Sequence, residues 1–378
     1  MQKKVMTLAV AGALAAPALA FAQASTVGIY GVFNVEYGIS VKQPENAAGA
    51  SRISATALNS GASRIGLRGE EKLGGGLSAW FQCESDLRFL SGTTAAPGPG
   101  ATTGVWCDRN SALGLRGAWG NVFIGSWDSP IKIVSGVTRI TEETGWTGTQ
   151  LFTLSPNSHP TNNSGFSNRL ANSVSYHSPR WGGFSLMGQA TITQAERNAL
   201  TTATVSGREV GIAGQFAQGP FAVVAGYAKK DDNIAVGNAA GRSDKAWLLG
   251  GTYTYGPVKV GLTYAKLEWD VSATTQTERK GWNLAADWQL GGPHSIRGGY
   301  ARAGDYGGTA SVADSGAKQW QINYRNSLSK RTTAGIGYVK LSNDSSGRYN
   351  LTGQTAGAAN VAAGKSASAW SLFMNHSF

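Results

Sequence analysis

An extended chain over the final residues, Ser368-Ala369-Trp370-Ser371-Leu372-Phe373-Met374-Asn375-His376-Ser377-Phe378, carries Trp370, Leu372, Met374, His376 and Phe378 on one face and stops on an aromatic ring. The same period of two recurs upstream. Trp282, Leu284, Ala286, Trp288 and Leu290 share a face opposite Asn283, Asp287 and Gln289. Trp320, Ile322 and Tyr324 oppose Gln321, Asn323 and Arg325, and Ile65 and Leu67 oppose Arg64 and Arg68. Such alternation predicts strands with one apolar and one wet side. A strand needs only about 9–11 residues to cross a bilayer, so each segment is weakly hydrophobic and the series carries the signal. A Lys or Arg on the lipid face near the midplane costs about 2–4 kcal/mol, and here the charges keep to the second face. Trp247, Tyr253, Tyr255, Trp269, Trp282 and Tyr324 fall near predicted strand ends, where interfacial girdles sit.

Short Gly/Pro-rich or polar breaks occur at Gly74-Gly75-Gly76, Trp119-Gly120-Asn121, Pro179-Arg180-Trp181-Gly182-Gly183, Gly219-Pro220, Gly256-Pro257, Gly291-Gly292-Pro293 and Ser329-Lys330-Arg331. They alternate with long polar stretches near residues 41–60, 91–107, 128–168, 195–207, 231–243, 271–279, 306–316 and 344–365. Seven tight turns and eight long loops in alternation require sixteen antiparallel strands, with the first, from Thr26 to Val41, pairing with the last. Short turns on one side and long loops on the other are the arrangement of a transmembrane β-barrel. The predicted fold class is therefore all-β, a 16-stranded antiparallel transmembrane barrel over residues 23–378.

The leading residues read differently. Lys3 and Lys4 precede an apolar run from Val5 to Leu19, and Ala18-Leu19-Ala20 and Ala20-Phe21-Ala22 offer small-residue cleavage steps. Residues 1–22 are expected to be a signal peptide cut before Gln23. No later stretch reaches the roughly 18 consecutive apolar residues of a spanning helix. The 52 glycines lack a three-residue period, which excludes a collagen-like chain.

Formal charge is +11, or +9 once Lys3 and Lys4 are removed. The basic residues stand singly inside alternating strands rather than in runs, so anionic solutes in a lumen fit better than nucleic acid. Export places Cys83 and Cys107, the only two cysteines, in an oxidising compartment. A disulfide between them across the intervening hairpin is one reading, and two unpaired buried thiols the other. With four scattered histidines they make no metal set, and no cofactor motif is present.

Several segments together resemble the trimeric general porins of the Gram-negative outer membrane, above all their sixteen-stranded beta-proteobacterial branch. These are Ile29-Tyr30-Gly31, the run Ser63-Arg64-Ile65-Gly66-Leu67-Arg68-Gly69-Glu70-Glu71-Lys72-Leu73-Gly74, Leu113-Gly114-Leu115-Arg116-Gly117, Asn172 to Pro179, and the ending His376-Ser377-Phe378. The resemblance implies that the third long loop folds into the barrel. Its acids Asp128, Glu142 and Glu143 would face a basic wall of Arg64, Arg68 and Arg116 across the constriction. Ser126 and Asn375 stand where the family often has arginine, which implies a less basic eyelet. The resemblance further implies a homotrimer meeting through outward residues such as Gly31, Phe33, Ile65 and Leu67. It also implies Phe378 as a signal to the assembly machinery, and contact with outer-membrane lipid and lipopolysaccharide.

Duller readings stand beside these. Arg68 with Glu70, or Arg116 with Asp108, could form wall ion pairs, and Lys229, Lys230, Asp231 and Asp232 read as rim charges. Enzyme readings are weak. Gly364-Lys365-Ser366 ends a stretch with Ala359 where a phosphate loop needs glycine, and His177 has no nucleophile elbow or partnered acid. Three function classes follow. A passive diffusion channel for small hydrophilic solutes with mild anion preference leads, then a substrate-specific channel marked by an aromatic slide, then a barrel enzyme or adhesin.

Overall fold

The computed structural model describes residues 26–42, 55–61, 63–87, 89–90, 106–141, 165–192, 208–231, 242–272, 274–349, 351 and 362–378. The expected signal peptide, Glu142, Glu143 and Asp232 lie outside these residues. The chain forms one closed sheet, with the strands in sequence order and the last returning to the first.

The strands are β1 Thr26–Lys42, β2 in two segments Ala55–Asn59 and Arg64–Gly74, β3 Leu77–Asp86, β4 Ser111–Gly117, β5 Gly120–Asp128 and β6 Arg169–His177. Then come β7 Phe184–Thr191, β8 Arg208–Gln218, β9 Phe221–Asp231, β10 Ser243–Tyr255, β11 Val258–Asp270 and β12 Gln276–Gly291. The last four are β13 His294–Ala303, β14 Ala317–Ser327, β15 Thr332–Asn343 and β16 Ala367–Ser377. Gly307–Gly308 adds a two-residue ladder against Thr277 and Glu278, so the barrel has sixteen strands as the turn count requires.

All seven expected tight turns are present. Gly219-Pro220 and Gly256-Pro257 are two-residue hairpin connections with glycine φ values of 58° and 53°, the left-handed backbone that a primed turn demands at its first central position. Two expected loops are shorter than the sequence suggested. Ala55–Asn59, within the expected 41–60 loop, pairs with Glu36 to Val41, and β12 already starts at Gln276. The gap inside β2 is stitched by Ser63, whose Oγ accepts from Asn34 N at 2.8 Å and donates to Asn34 O at 3.0 Å.

The outer surface obeys the predicted alternation. Trp282, Leu284, Trp288, Trp320, Ile322 and Tyr324 are exposed, while Asn283, Asp287, Gln321 and Asn323 are buried inside the barrel. On β9–β16 a girdle runs near the loop end: Tyr227, Trp247, Tyr264, Trp282, Tyr300, Trp320, Tyr338 and Trp370. Two residues further toward the loops, β9–β15 carry Lys229, Lys245, Lys266, Lys280, Arg302, Lys318 and Lys340 on the same outward face. An aromatic ring at the interface with a cation above it matches the chemistry of a bilayer edge.

Two residues depart from their expected places. Trp269, expected in the girdle, points inward, is 1% exposed and meets Tyr306 at a ring distance of 6.0 Å. Its neighbours Lys266 and Glu268 hold the outward positions, so the period of two places Trp269 inside. Lys230, expected at the rim, is also buried inward, 3.5 Å from Glu209 and over the Phe166 ring at 4.8 Å. Lys229 alone of that pair faces out, bound to Asp231 at 2.7 Å.

Candidate functional site

The third long loop enters the lumen directly after β5. Pro130 opens a short helix, α1 Pro130–Ser135, where its missing N–H is harmless, and a 3-10 turn over Gly136–Thr138 continues it. Ser129 donates to Phe166 O at 3.3 Å, so it ties the two ends of the loop together instead of capping the helix.

Glycines in the barrel wall make room for this loop. A Cβ on Gly211 would stand 3.1 Å from Pro130, on Gly226 3.1 Å from Ile131, on Gly250 3.0 Å from Thr138, on Gly261 2.9 Å from Ile140, and on Gly299 3.1 Å from Thr141. These five positions lie on β8, β9, β10, β11 and β13 and form one shallow groove. Ile131 and Val134 are fully buried in it. Thr263 and Thr138 join their hydroxyls, and Thr141 O accepts from Gln321 at 3.0 Å and Asn323 at 3.3 Å. The loop thus crosses the inner wall from β8 to β14 and narrows the lumen. The last loop also turns inward: Tyr349 and Leu351 are buried against Val339, Leu341 and Ala367, and Tyr349 accepts from Arg279 at 3.0 Å.

Across the lumen, β2 and β3 present Arg64, Arg68, Glu70, Gln82 and Glu84 inward. Glu84 accepts from Tyr30 at 3.1 Å and from Arg109 at 2.8 Å, with Arg64 at 3.4 Å; Arg109 also reaches Asp86 at 2.7 Å. At the loop-side ends of β5 and β6, Asp128 binds Lys132 at 2.8 Å and Arg169 at 3.2 Å. Arg139 donates to Lys132 O at 3.0 Å. Burial pulls Lys132 below the usual lysine range, while the Asp128 carboxylate opposes the shift.

The three expected wall arginines are spread along the lumen. Arg64 joins the Glu84 network. Arg68 stacks over the Tyr30 ring at 5.3 Å, not on Glu70. Arg116 lies one residue from the end of β4 beside a tight turn, 3.3 Å from Glu70 rather than paired with Asp108, and over the Trp80 ring at 5.5 Å. Asp128, expected to face the wall, is engaged by its own loop and by Arg169.

Arg109, Lys132, Arg139 and Arg169 escaped the sequence reading because they stand in or beside loops, where the period of two gives no direction. A second omission could have been read. Trp80 alternates with Gln82 and Glu84 and must therefore share the wet face, where it packs with Phe123 and Trp127, and Phe123 in turn meets His177. Cys83 and Cys107 are disulfide-bonded. Cys83 lies opposite Leu67 on the outward face, clear of the lumen.

A family model described as Gram-negative porin matches residues 7–346. Outer membrane porin protein 32 of Delftia acidovorans is 29% identical over 381 aligned residues, covering 100% of both chains. Major outer membrane protein P.IB of Neisseria gonorrhoeae is 34% identical over 125 residues, 32% of this chain and 30% of that one. Among solved structures, an anion-selective porin from Comamonas acidovorans aligns with a TM-score of 0.73 and 25% identity, covering 94% of this chain and 100% of that one. A trimer form of OmpT from Vibrio cholerae aligns at 0.65 with 14% identity, covering 94% and 100%, and speaks for the fold alone. With its closed sixteen-stranded wall, its inward third loop and a family model spanning most of its length, the chain belongs to the Gram-negative porins and forms a channel in the outer membrane.

Proposed function

We propose that the channel passes small hydrophilic solutes by passive diffusion and favours anions. One observation carries the preference. Among the described residues of β2–β6, α1 and the loop segments beside them, eight cations (Arg64, Arg68, Lys72, Arg109, Arg116, Lys132, Arg139 and Arg169) stand against six carboxylates (Glu70, Glu71, Glu84, Asp86, Asp108 and Asp128). In a narrow lumen with low-dielectric walls a few uncompensated charges set ion preference. The likeness to a Comamonas protein described as anion-selective supports the same reading. Liposome swelling tests the diffusion part: small sugars should permeate at rates that fall with size. A single sugar passing far faster than its size allows would favour a substrate-specific channel instead.

The finer parts of this reading have their own supports. A homotrimer suits the outward apolar faces of β1 and β2, where Val27, Ile29, Phe33 and Leu67 are exposed. Lipopolysaccharide suits the outward cations of β9–β15: Arg302 and Lys318 are direct cross-strand partners, and like charges so placed repel unless an anion lies between them. Asp344 holds Arg302 at 2.6 Å, while Lys245, Lys318 and Lys340 have no ion-pair partner among the described residues. Residues 1–22 would direct export, as their signal-peptide grammar indicates, and Phe378 would mark the chain for assembly, as the likeness to porins implies.

A further inference from the structure

At the tight-turn end of the lumen lies a cavity of about 620 Å³, lined among others by Arg68, Trp80, Gln82, Arg116, Trp127 and His177. Its size falls within the roughly 300–1,000 Å³ of small-molecule sites. Barrel interiors of water-filled channels are polar. Here, by contrast, four aromatic side chains gather on the inner wall. Trp80 and Phe123 lie 5.4 Å apart by ring centroid, Trp80 and Trp127 5.8 Å, Phe123 and Trp127 5.0 Å, and Phe123 and His177 5.0 Å. Phe123 is 1% exposed and serves packing. Trp127 and His177 remain partly open to the cavity.

Beside these rings stands a guanidinium with unused capacity. Arg68 is exposed, rests over Tyr30 at 5.3 Å and has no carboxylate in ion-pair range among the described residues. A guanidinium held over a ring face by cation–π attraction still carries a fork of N–H donors that can take a carboxylate through two parallel hydrogen bonds. Arg116 adds positive charge nearby, although Glu70 at 3.3 Å shares it with Lys72.

We propose that this cavity is a transit site for small aromatic carboxylates, with the ring against Trp127 and His177 and the carboxylate on the free edge of Arg68. The proposal rests on the channel reading and names a class of solute for it. A sugar would stack on the rings but leave the guanidinium without its counter-charge. An aliphatic acid would meet Arg68 and leave the rings wet. Only a solute with both features uses both halves of the site.

Single-channel recording on the purified full-length protein tests this, with benzoate, acetate and benzyl alcohol as blockers of the potassium chloride current. Stacking contributes enough that benzoate should interrupt the current at roughly ten-fold lower concentration than acetate or benzyl alcohol. Interruptions should be more frequent when benzoate is added on the tight-turn side. Arg68→Gln and, separately, Trp127→Leu should each bring the benzoate-to-acetate ratio close to one, and Trp127→Phe should keep most of it. Equal block by benzoate and acetate in the wild type, or a ratio untouched by both Arg68→Gln and Trp127→Leu, overturns the site while leaving the channel standing. Absence of any chloride conductance would overturn the channel reading itself.

Discussion

Phe378 lies across Gly31 at the seam where the barrel closes. The two residues exchange backbone hydrogen bonds of 3.2 and 3.1 Å, and a Cβ at position 31 would stand 2.3 Å from the Phe378 ring. The ring also meets Phe33 at 5.9 Å, which in turn meets Phe89 at 5.1 Å. The last residue of the chain thus covers the first strand. Removing Phe378 deletes both hydrogen bonds, each contributing about 0.5–1.5 kcal/mol, together with the ring packing. Gly31→Val leaves the terminus intact but evicts the ring. Both variants should reduce the heat-modifiable, folded fraction in outer-membrane preparations. Normal folding of both would show that the seam does not depend on this contact.

The wall groove that seats the third loop gives a second prediction. At Gly226 an added Cβ meets Ile131 and Val134, both fully buried, so Gly226→Val must push α1 off the wall toward the pore axis. Overpacking of this kind costs about 1–3 kcal/mol. Single-channel conductance should fall, whereas Gly298→Val, whose added Cβ meets the Gln321 carbonyl at an ordinary contact distance of 3.8 Å, should leave it unchanged. A conductance unaltered by Gly226→Val would mean that α1 does not bound the narrow part of the lumen.

The disulfide should act on stability and not on transport. Cys107 has a positive φ of 67° and its N–H donates to Ser85 Oγ at 2.8 Å, so the bond anchors a strained loop end to the outside of β3. Loss of such a cross-link typically costs about 2–4 kcal/mol. Cys83→Ser with Cys107→Ser should lower the temperature at which the barrel unfolds in detergent and leave ion selectivity as it was. A changed selectivity would put this loop in the permeation path.

The outward cations of β13–β15 predict a lipid contact. Lys318→Gln together with Lys340→Gln should reduce the lipopolysaccharide that co-purifies with the protein, and should weaken the stabilisation given by added lipid A. Phosphatidylethanolamine and inorganic phosphate should stabilise wild type and variant alike. Undiminished lipopolysaccharide in the double variant would assign these lysines to solubility alone.

Much of this architecture was legible because a period of two is a local property. The face of Trp282, Leu284 and Trp288 follows from their spacing, and Gly256-Pro257 announces its turn by backbone chemistry. What the spacing could not supply is contact between segments distant in sequence. The wall glycines Gly211, Gly226, Gly250, Gly261 and Gly299 look like weak points of single strands until the third loop is laid against them. Tyr349 gives no sign in the sequence that its loop turns into the barrel beside Arg279. In the candidate site, Arg64 and Arg68 were readable from alternation. Arg109 and Arg169 were not, since each stands where a strand gives way to a loop and direction is set by tertiary partners such as Glu84 and Asn110.

The surplus of cations along the lumen is the central claim, and a reversal potential reads it directly. Across a potassium chloride gradient at low ionic strength the wild type should be anion-selective, and Arg64→Glu with Arg68→Glu and Arg116→Glu should reverse the sign. At about 1 M salt, where the Debye length is about 3 Å, the difference should flatten. A wild-type channel that prefers potassium, or a triple variant with the wild-type potential at low salt, would contradict the account.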